Sequence, residues 1–170
     1  MRKKILNPFV MLCCGLMIGI AARLLDLYTT NLGEIFSQMV IWIVIGTLIS
    51  IYSETAKKAM CNVLPFCLGM LATYYVVAAL SHGVYAKEFI IGWTVFALCS
   101  PVMDYFAWLT KERGLFPKIV SVGIVAVSVL SSVLLFDRLR FYDFIIDGAL
   151  IYFLFIKKVD RLNEYKEEEV

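Results

Sequence analysis

The chain has 170 residues, of which 61% are hydrophobic and 18% are charged, and its mean hydropathy is +0.82. An ordinary soluble domain is about 45–50% apolar and about 25% charged, so this composition is typical of a membrane protein. It excludes a soluble globular enzyme and a disordered tail, and a formal net charge of +2 gives no reason to expect a nucleic-acid partner.

Six apolar stretches follow one another along the chain, and a helix needs about 20 such residues to cross a hydrocarbon core of about 30 Å. In order they cover 5–25, 33–53, 59–81, 88–109, 116–136 and 141–156. Lipid cannot satisfy backbone N–H and C=O groups, and these runs lack the alternation of barrel strands, so each is predicted to be a helix. The sixth stretch is the shortest and contains two aspartates.

The predicted fold class is therefore all-α, an integral membrane bundle of six transmembrane helices that forms a single domain over 1–170, with a charged cytoplasmic tail at 157–170. If the N-terminus is inside, the inner segments hold twelve Lys and Arg and the outer segments hold four. This excess inside predicts that both termini are cytoplasmic. We expect a multi-pass protein of a bacterial cytoplasmic membrane, with the lipid bilayer as its main partner.

Small residues recur four positions apart in the first two spans, as Gly15-x-x-x-Gly19 and Gly46-x-x-x-Ser50. Such spacing lets helix backbones approach closely within a membrane. We expect both stripes to pack against other helices of the same chain. In the alternative, a stripe, first of all that of Gly15 and Gly19, docks a partner membrane subunit or a second copy of the chain.

Six ionisable residues fall at the outer ends of the predicted spans. They are Arg23, Asp26, His82, Arg140, Asp143 and Asp147. Asp143 and Asp147 share one helix face because they lie four residues apart, and Asp147 lies about 9 Å below the outer end of its span. Brought together, the six would form an outward-facing pocket for a small polar solute. In the alternative, the arginines extend to water and the acids line a wet rim.

Asp104 lies elsewhere, about 7.5 Å from the inner end of the fourth span. An ionisable residue within a span is unfavourable and indicates a functional site by default. Pro101 cannot donate to the carbonyl oxygen of Ala97, so an unpaired carbonyl is expected beside the carboxylate. Together these features predict an ion or proton site. In the alternative, Asp104 extends to the inner headgroups or pairs with a lysine.

Catalytic and metal signatures are weak in this sequence. The five cysteines include no Cys-x-x-Cys pair, and with a single histidine they do not supply the roughly four converging ligands of a zinc site. Asp143-x-x-x-Asp147 matches one acidic motif of membrane prenyltransferases, which need a second one that is absent. His82 and Cys99 would suit a Cys–His peptidase but lie in different spans at different depths. We expect no enzyme activity and no cofactor.

Two segments, 52–59 (YSETAKKA) and 72–75 (ATYY), resemble parts of small bacterial multi-pass membrane proteins, a resemblance that implies such a fold and carries no activity. The layout of six spans with both termini inside is also similar to that of the substrate-binding subunits of energy-coupling-factor vitamin transporters. That resemblance is one of layout alone. Those subunits usually carry Ala-x-x-x-Ala in their first helix, where this chain has Gly15 and Gly19.

Two functions of different classes follow. In the first, the protein binds a small polar solute, or helps to transport it, through the outward-facing pocket. In the second, it is an accessory or assembly protein that acts through helix–helix contacts and has no ligand. Only the first function requires the acidic side chains of Asp104 and Asp147.

Overall fold

The computed structural model of the chain is an all-helical bundle. It describes residues 6–29, 36, 38–81, 87–136 and 139–159, and these contain no strand. Six α-helices follow in chain order: α1 (Pro8–Tyr28), α2 (Met39–Tyr52), α3 (Ala56–Leu80), α4 (Lys87–Leu109), α5 (Leu115–Phe136) and α6 (Phe141–Ile151). A π-helical turn, Tyr152–Ile156, continues α6. The predicted all-α class is confirmed, and each predicted stretch overlaps one of these six described helices.

Several helix ends differ from the predicted ones by a few residues, and capping side chains set the starts of α1 and α3. The Asn7 side chain accepts the backbone N–H of Phe9 at 3.1 Å and starts α1. Thr55 accepts the N–H of Lys58 at 3.2 Å, so α3 begins three residues before the predicted 59. Residues 33–35 of the second stretch and 160–170 of the predicted tail lie outside the described residues.

Among the described helices, four are long and apolar enough to cross a membrane, which indicates a membrane location. They are Pro8–Tyr28, Ala56–Leu80, Ile90–Leu109 within α4 and Leu115–Leu134 within α5. The second helix is apolar but shorter, with 14 residues. The sixth has 11 residues, and its π-helical turn adds 5.

The short helix α2 lies at the centre of the bundle. It packs against α3, α4, α5 and α6, whereas α1 packs mainly on α3. One apolar core joins α1 to α4 and includes Trp42 and Phe66, and a second joins Ile43 and Val44 of α2 to Leu150 in α6. A helix that is apolar around its whole circumference is expected in such a buried position.

The first small-residue stripe forms the contact between α1 and α3. A Cβ atom added at Gly15 would lie less than 3.0 Å from the backbone carbonyl of Phe66, and one added at Gly19 would meet the carbonyl of Met70 in the same way. The Thr73 hydroxyl also donates to a carbonyl oxygen of α1 at 2.9 Å. The glycines of α1 therefore pack within the chain.

Candidate functional site

A fully buried carboxylate lies at the start of α6. Asp143 has 0% of its surface exposed. Its Oδ2 atom accepts the backbone N–H of Arg140 at 2.8 Å, which caps the helix. Its Oδ1 atom is also buried and has no hydrogen-bond partner among the described residues. An ionised carboxylate has about four acceptor positions, so half of this group is left without a donor.

Gln38 joins this end of α6 to the start of α2. Its Nε2 atom lies 3.3 Å from the hydroxyl oxygen of Tyr142, and Arg140 Nη1 lies 2.5 Å from the same oxygen. The Gln38 side chain is fully buried, and its Oε1 atom has no partner within the part of the chain that the structure describes. Sequence reasoning missed Gln38, although an amide inside a predicted apolar span was a usable signal.

Asp147 lies one helical turn further into the bundle. Its carboxylate accepts the hydroxyl of Ser128 in α5 at 2.6 Å, and its side chain is 8% exposed. No lysine, arginine or histidine of the described ranges forms an ion pair with it. We refer to Gln38, Arg140, Tyr142, Asp143 and Asp147 as the α2–α6 polar cluster.

The remaining outer residues form a separate group between α1 and α3. The Arg23 guanidinium pairs with Asp26, and the Tyr74 hydroxyl donates to the same carboxylate at 3.2 Å. Arg23 is 8% exposed, and its Cζ atom lies 5.6 Å from the centre of the Tyr74 ring, a cation–π contact. No ion pair or hydrogen bond of the described residues links this group to the α2–α6 polar cluster.

Five of the six residues predicted for one pocket are described, and they divide between two places. Arg23 and Asp26 contact each other between α1 and α3. Arg140, Asp143 and Asp147 belong to the α2–α6 polar cluster. His82 lies outside the described residues.

Asp104 lies between α4 and α2, with 5% of its surface exposed. The hydroxyl of Ser50 donates to its Oδ1 atom. A Cβ atom added at Gly46 would lie 3.4 Å from the same oxygen, so the absent side chain leaves room for the carboxylate. The second small-residue stripe, Gly46 and Ser50, therefore receives an acidic side chain rather than a helix backbone.

The carbonyl that Pro101 leaves without its helical donor is satisfied from within α4. The Ser100 hydroxyl donates to the carbonyl oxygen of Ala97 at 2.7 Å. The expected open carbonyl beside Asp104 is therefore absent from this position. Near the carboxylate lie the Ser50 hydroxyl and, from α3, the Cys67 thiol.

The α2–α6 polar cluster carries more acid than base. Asp143 and Asp147 together count −2 and Arg140 counts +1, so the formal sum is −1 with both acids ionised. Within the described ranges, no group of three or more His, Cys, Asp and Glu is placed to hold a metal ion. The arrangement instead offers buried oxygen acceptors to a group that brings its own N–H or O–H donors.

Comparisons of the chain with protein-family profiles, with curated proteins and with solved structures gave no match. Its function is accordingly inferred from the side chains described above.

Proposed function

We propose that the protein is a six-span integral membrane protein, with both termini in the cytoplasm of a bacterial cell, that binds a small polar solute and helps it to cross the membrane. The four long apolar helices and the excess of Lys and Arg on one predicted side support this arrangement. In it, α2 and α6 begin at the outer face, so the α2–α6 polar cluster faces the outside of the cell.

The observation that carries the proposal is the buried Oδ1 atom of Asp143, which has no donor among the described residues. A buried acceptor without a hydrogen bond costs about 1–3 kcal/mol, and more when it is charged. A bound solute that donates to Asp143 offsets this cost, so binding of such a solute stabilises the folded protein.

The chemistry of the α2–α6 polar cluster defines the class of solute. Two of its buried atoms, Gln38 Oε1 and Asp143 Oδ1, are acceptors without a hydrogen-bond donor among the described residues. The formal charge of the cluster is negative. A small cation with N–H donors, such as a primary ammonium group, supplies both the donors and the charge. A quaternary ammonium ion has the same charge and lacks the donors.

Melting of the purified protein in lipid nanodiscs tests this proposal. A ligand that binds only the folded state raises the melting temperature. We expect methylammonium chloride to raise it and tetramethylammonium chloride, at the same concentration, to have a much smaller effect. Asp143→Asn should bind methylammonium at least about tenfold more weakly, because a charged hydrogen bond is lost. Asp26→Asn, in the separate group between α1 and α3, should respond as the wild type does.

Equal responses to the two salts, or an Asp143→Asn variant that responds like the wild type, would contradict the proposal. If Asp143→Asn and Asp147→Asn both insert and melt as the wild type does, and each salt shifts their melting temperatures as it shifts that of the wild type, the accessory role becomes the better explanation. That role would need a docking surface other than Gly15 and Gly19, since these two glycines already contact α3.

A further inference from the structure

Asp104 and the α2–α6 polar cluster lie towards opposite ends of α2. Gln38 immediately precedes the first residue of this helix, and Ser50, which donates to Asp104, lies in its last turn. The site of Asp104 is therefore separate from the proposed solute site, and the inference below does not depend on solute binding.

Three helices, α2, α3 and α5, pack on α4 around Asp104. From α2 come the Ser50 hydroxyl and the bare backbone of Gly46. From α3 comes the Cys67 thiol, which lies close enough to Asp104 to interact with it electrostatically. On α5, which also packs on α4, no described titratable or charged side chain interacts with it.

A metal ion does not suit this environment. Ca²⁺ takes six to eight oxygen ligands and Mg²⁺ requires an octahedral set. The side chains described around Asp104 offer its own two oxygens and one hydroxyl oxygen. The backbone of Gly46 faces one side of the carboxylate and offers it no side-chain ligand, since a Cβ atom there would lie 3.4 Å from Oδ1 and 3.6 Å from Oδ2.

A bare carboxylate does not suit it either. Asp104 is 5% exposed and forms no ion pair within the described ranges. An unpaired negative charge between two membrane helices is strongly unfavourable. A proton removes the charge without needing room or further ligands, and the Ser50 hydroxyl can hydrogen-bond to the carboxyl in either state.

We propose that Asp104 is a proton-binding site, which holds its proton while α4 is packed on α2 and releases it when the two helices separate. Protonation and helix packing are then coupled, since each stabilises the other. The backbone of α4 lacks one N–H hydrogen bond at Pro101, three residues before Asp104, so one backbone bond fewer holds the helix close to the place where it would have to move.

Labelling with dicyclohexylcarbodiimide tests the proposal directly. This apolar reagent adds to a protonated carboxyl group and rearranges to a stable acylurea, which mass spectrometry locates on the peptide. In full-length protein in nanodiscs, we expect Asp104 to be labelled near neutral pH, with labelling lost as the pH rises. Sodium or potassium chloride should not protect it. Asp104→Asn should lose the label on this peptide and keep the fold, because the amide has the shape of the neutral acid.

Ser50→Ala should change the pH dependence of Asp104 labelling, which a merely structural role of Ser50 would leave unchanged. The Ser50 hydroxyl stabilises the ionised carboxylate by donating to it, so its loss should let labelling persist to higher pH. Ser131→Ala is the matched control, since that hydroxyl donates to a carbonyl oxygen within α5 and should leave the pH profile unchanged.

If the reagent cannot reach Asp104, the pH dependence of the melting temperature tests whether this residue binds a proton. The unfolded wild-type chain releases the proton of Asp104 to water, so as the pH rises above the ordinary titration range of an aspartic acid its stability should fall more steeply than that of Asp104→Asn. Identical pH dependence in the two proteins would overturn the proposal. Protection of Asp104 from the reagent by sodium at constant pH would also overturn it, because a metal ion would then be the ligand.

Discussion

The ammonium group of Lys111 lies against the π-helical turn that follows α6, 2.9 Å from the carbonyl oxygen of Leu154. It also donates to the carbonyl oxygens of Phe153 and Lys157. The last carbonyls of a helix have no partners within it, and an ammonium group has three donors. The connection between α4 and α5 thus caps the π-helical turn that follows α6.

Lys111→Met should destabilise the bundle, because the methionine keeps the length of the side chain and removes all three donors. We expect a loss of about 1–3 kcal/mol in the free energy of unfolding, the range for hydrogen bonds to a charged group and for acceptors left unpaired. Unfolding in mixed micelles of increasing SDS content measures it. The exposed Lys118 gives the control, and equal behaviour of Lys118→Met and Lys111→Met would disprove the capping role.

Gly15→Ala should weaken the contact between α1 and α3. The new Cβ atom would lie less than 3.0 Å from the Phe66 carbonyl, and backbone cannot move aside as a flexible side chain can. Overpacking of this kind costs about 1–3 kcal/mol, measured by the same unfolding assay. Gly123→Ala is the matched control, because nothing lies within 4 Å of a Cβ atom at Gly123. If Gly123→Ala lowered the stability and Gly15→Ala did not, Gly15 would not form the close contact between α1 and α3.

Ser128→Ala should cost more stability than Ser131→Ala, although both serines are buried in α5. The Ser128 hydroxyl donates to Asp147, and its loss leaves the carboxylate without a donor among the described residues. The expected cost is about 1–3 kcal/mol. Ser131 donates to the Ser128 carbonyl within its own helix, so its removal should have a smaller effect. Equal effects would show that the bond to Asp147 does not stabilise the fold.

Cysteine accessibility tests the proposed orientation. The five native cysteines, free thiols in the structure, are first replaced. Tyr28 lies exposed at the end of α1, and Lys57 lies exposed at the start of α3. An impermeant maleimide should label Tyr28→Cys in intact cells and Lys57→Cys only after the membrane is permeabilised. The opposite result would invert the topology, and labelling of both in intact cells would remove a span between them.

Apolar run length was enough to place all six helices, because a span needs many consecutive apolar residues and connections are short. Apolar run length does not show which helices pack against each other. Asp104 and Ser50 were both singled out from the sequence, one as an ion or proton site and the other as part of a packing stripe. They are 54 residues apart, so local spacing in the sequence does not reveal the hydrogen bond between them.

The outer residues show the same limit. A shared depth in the membrane put Arg23 and Asp143 at one level but said nothing about their lateral distance, and Arg23 pairs with Asp26 beside Tyr74 instead. Helix caps were a readable signal that periodicity alone overlooks, as Thr55 shows at the start of α3.

The central position of α2 has a consequence for biosynthesis. Its 14 residues extend about 21 Å, less than the roughly 30 Å of a hydrocarbon core, and it carries the buried polar side chains of Thr47 and Ser50. The helices that surround it, α3 to α6, all leave the ribosome after it. We therefore expect α2 to stay in or near the insertion machinery until α3 to α6 have been synthesised and pack on it. Truncation of α6 should leave α2 partly uncovered and prone to degradation.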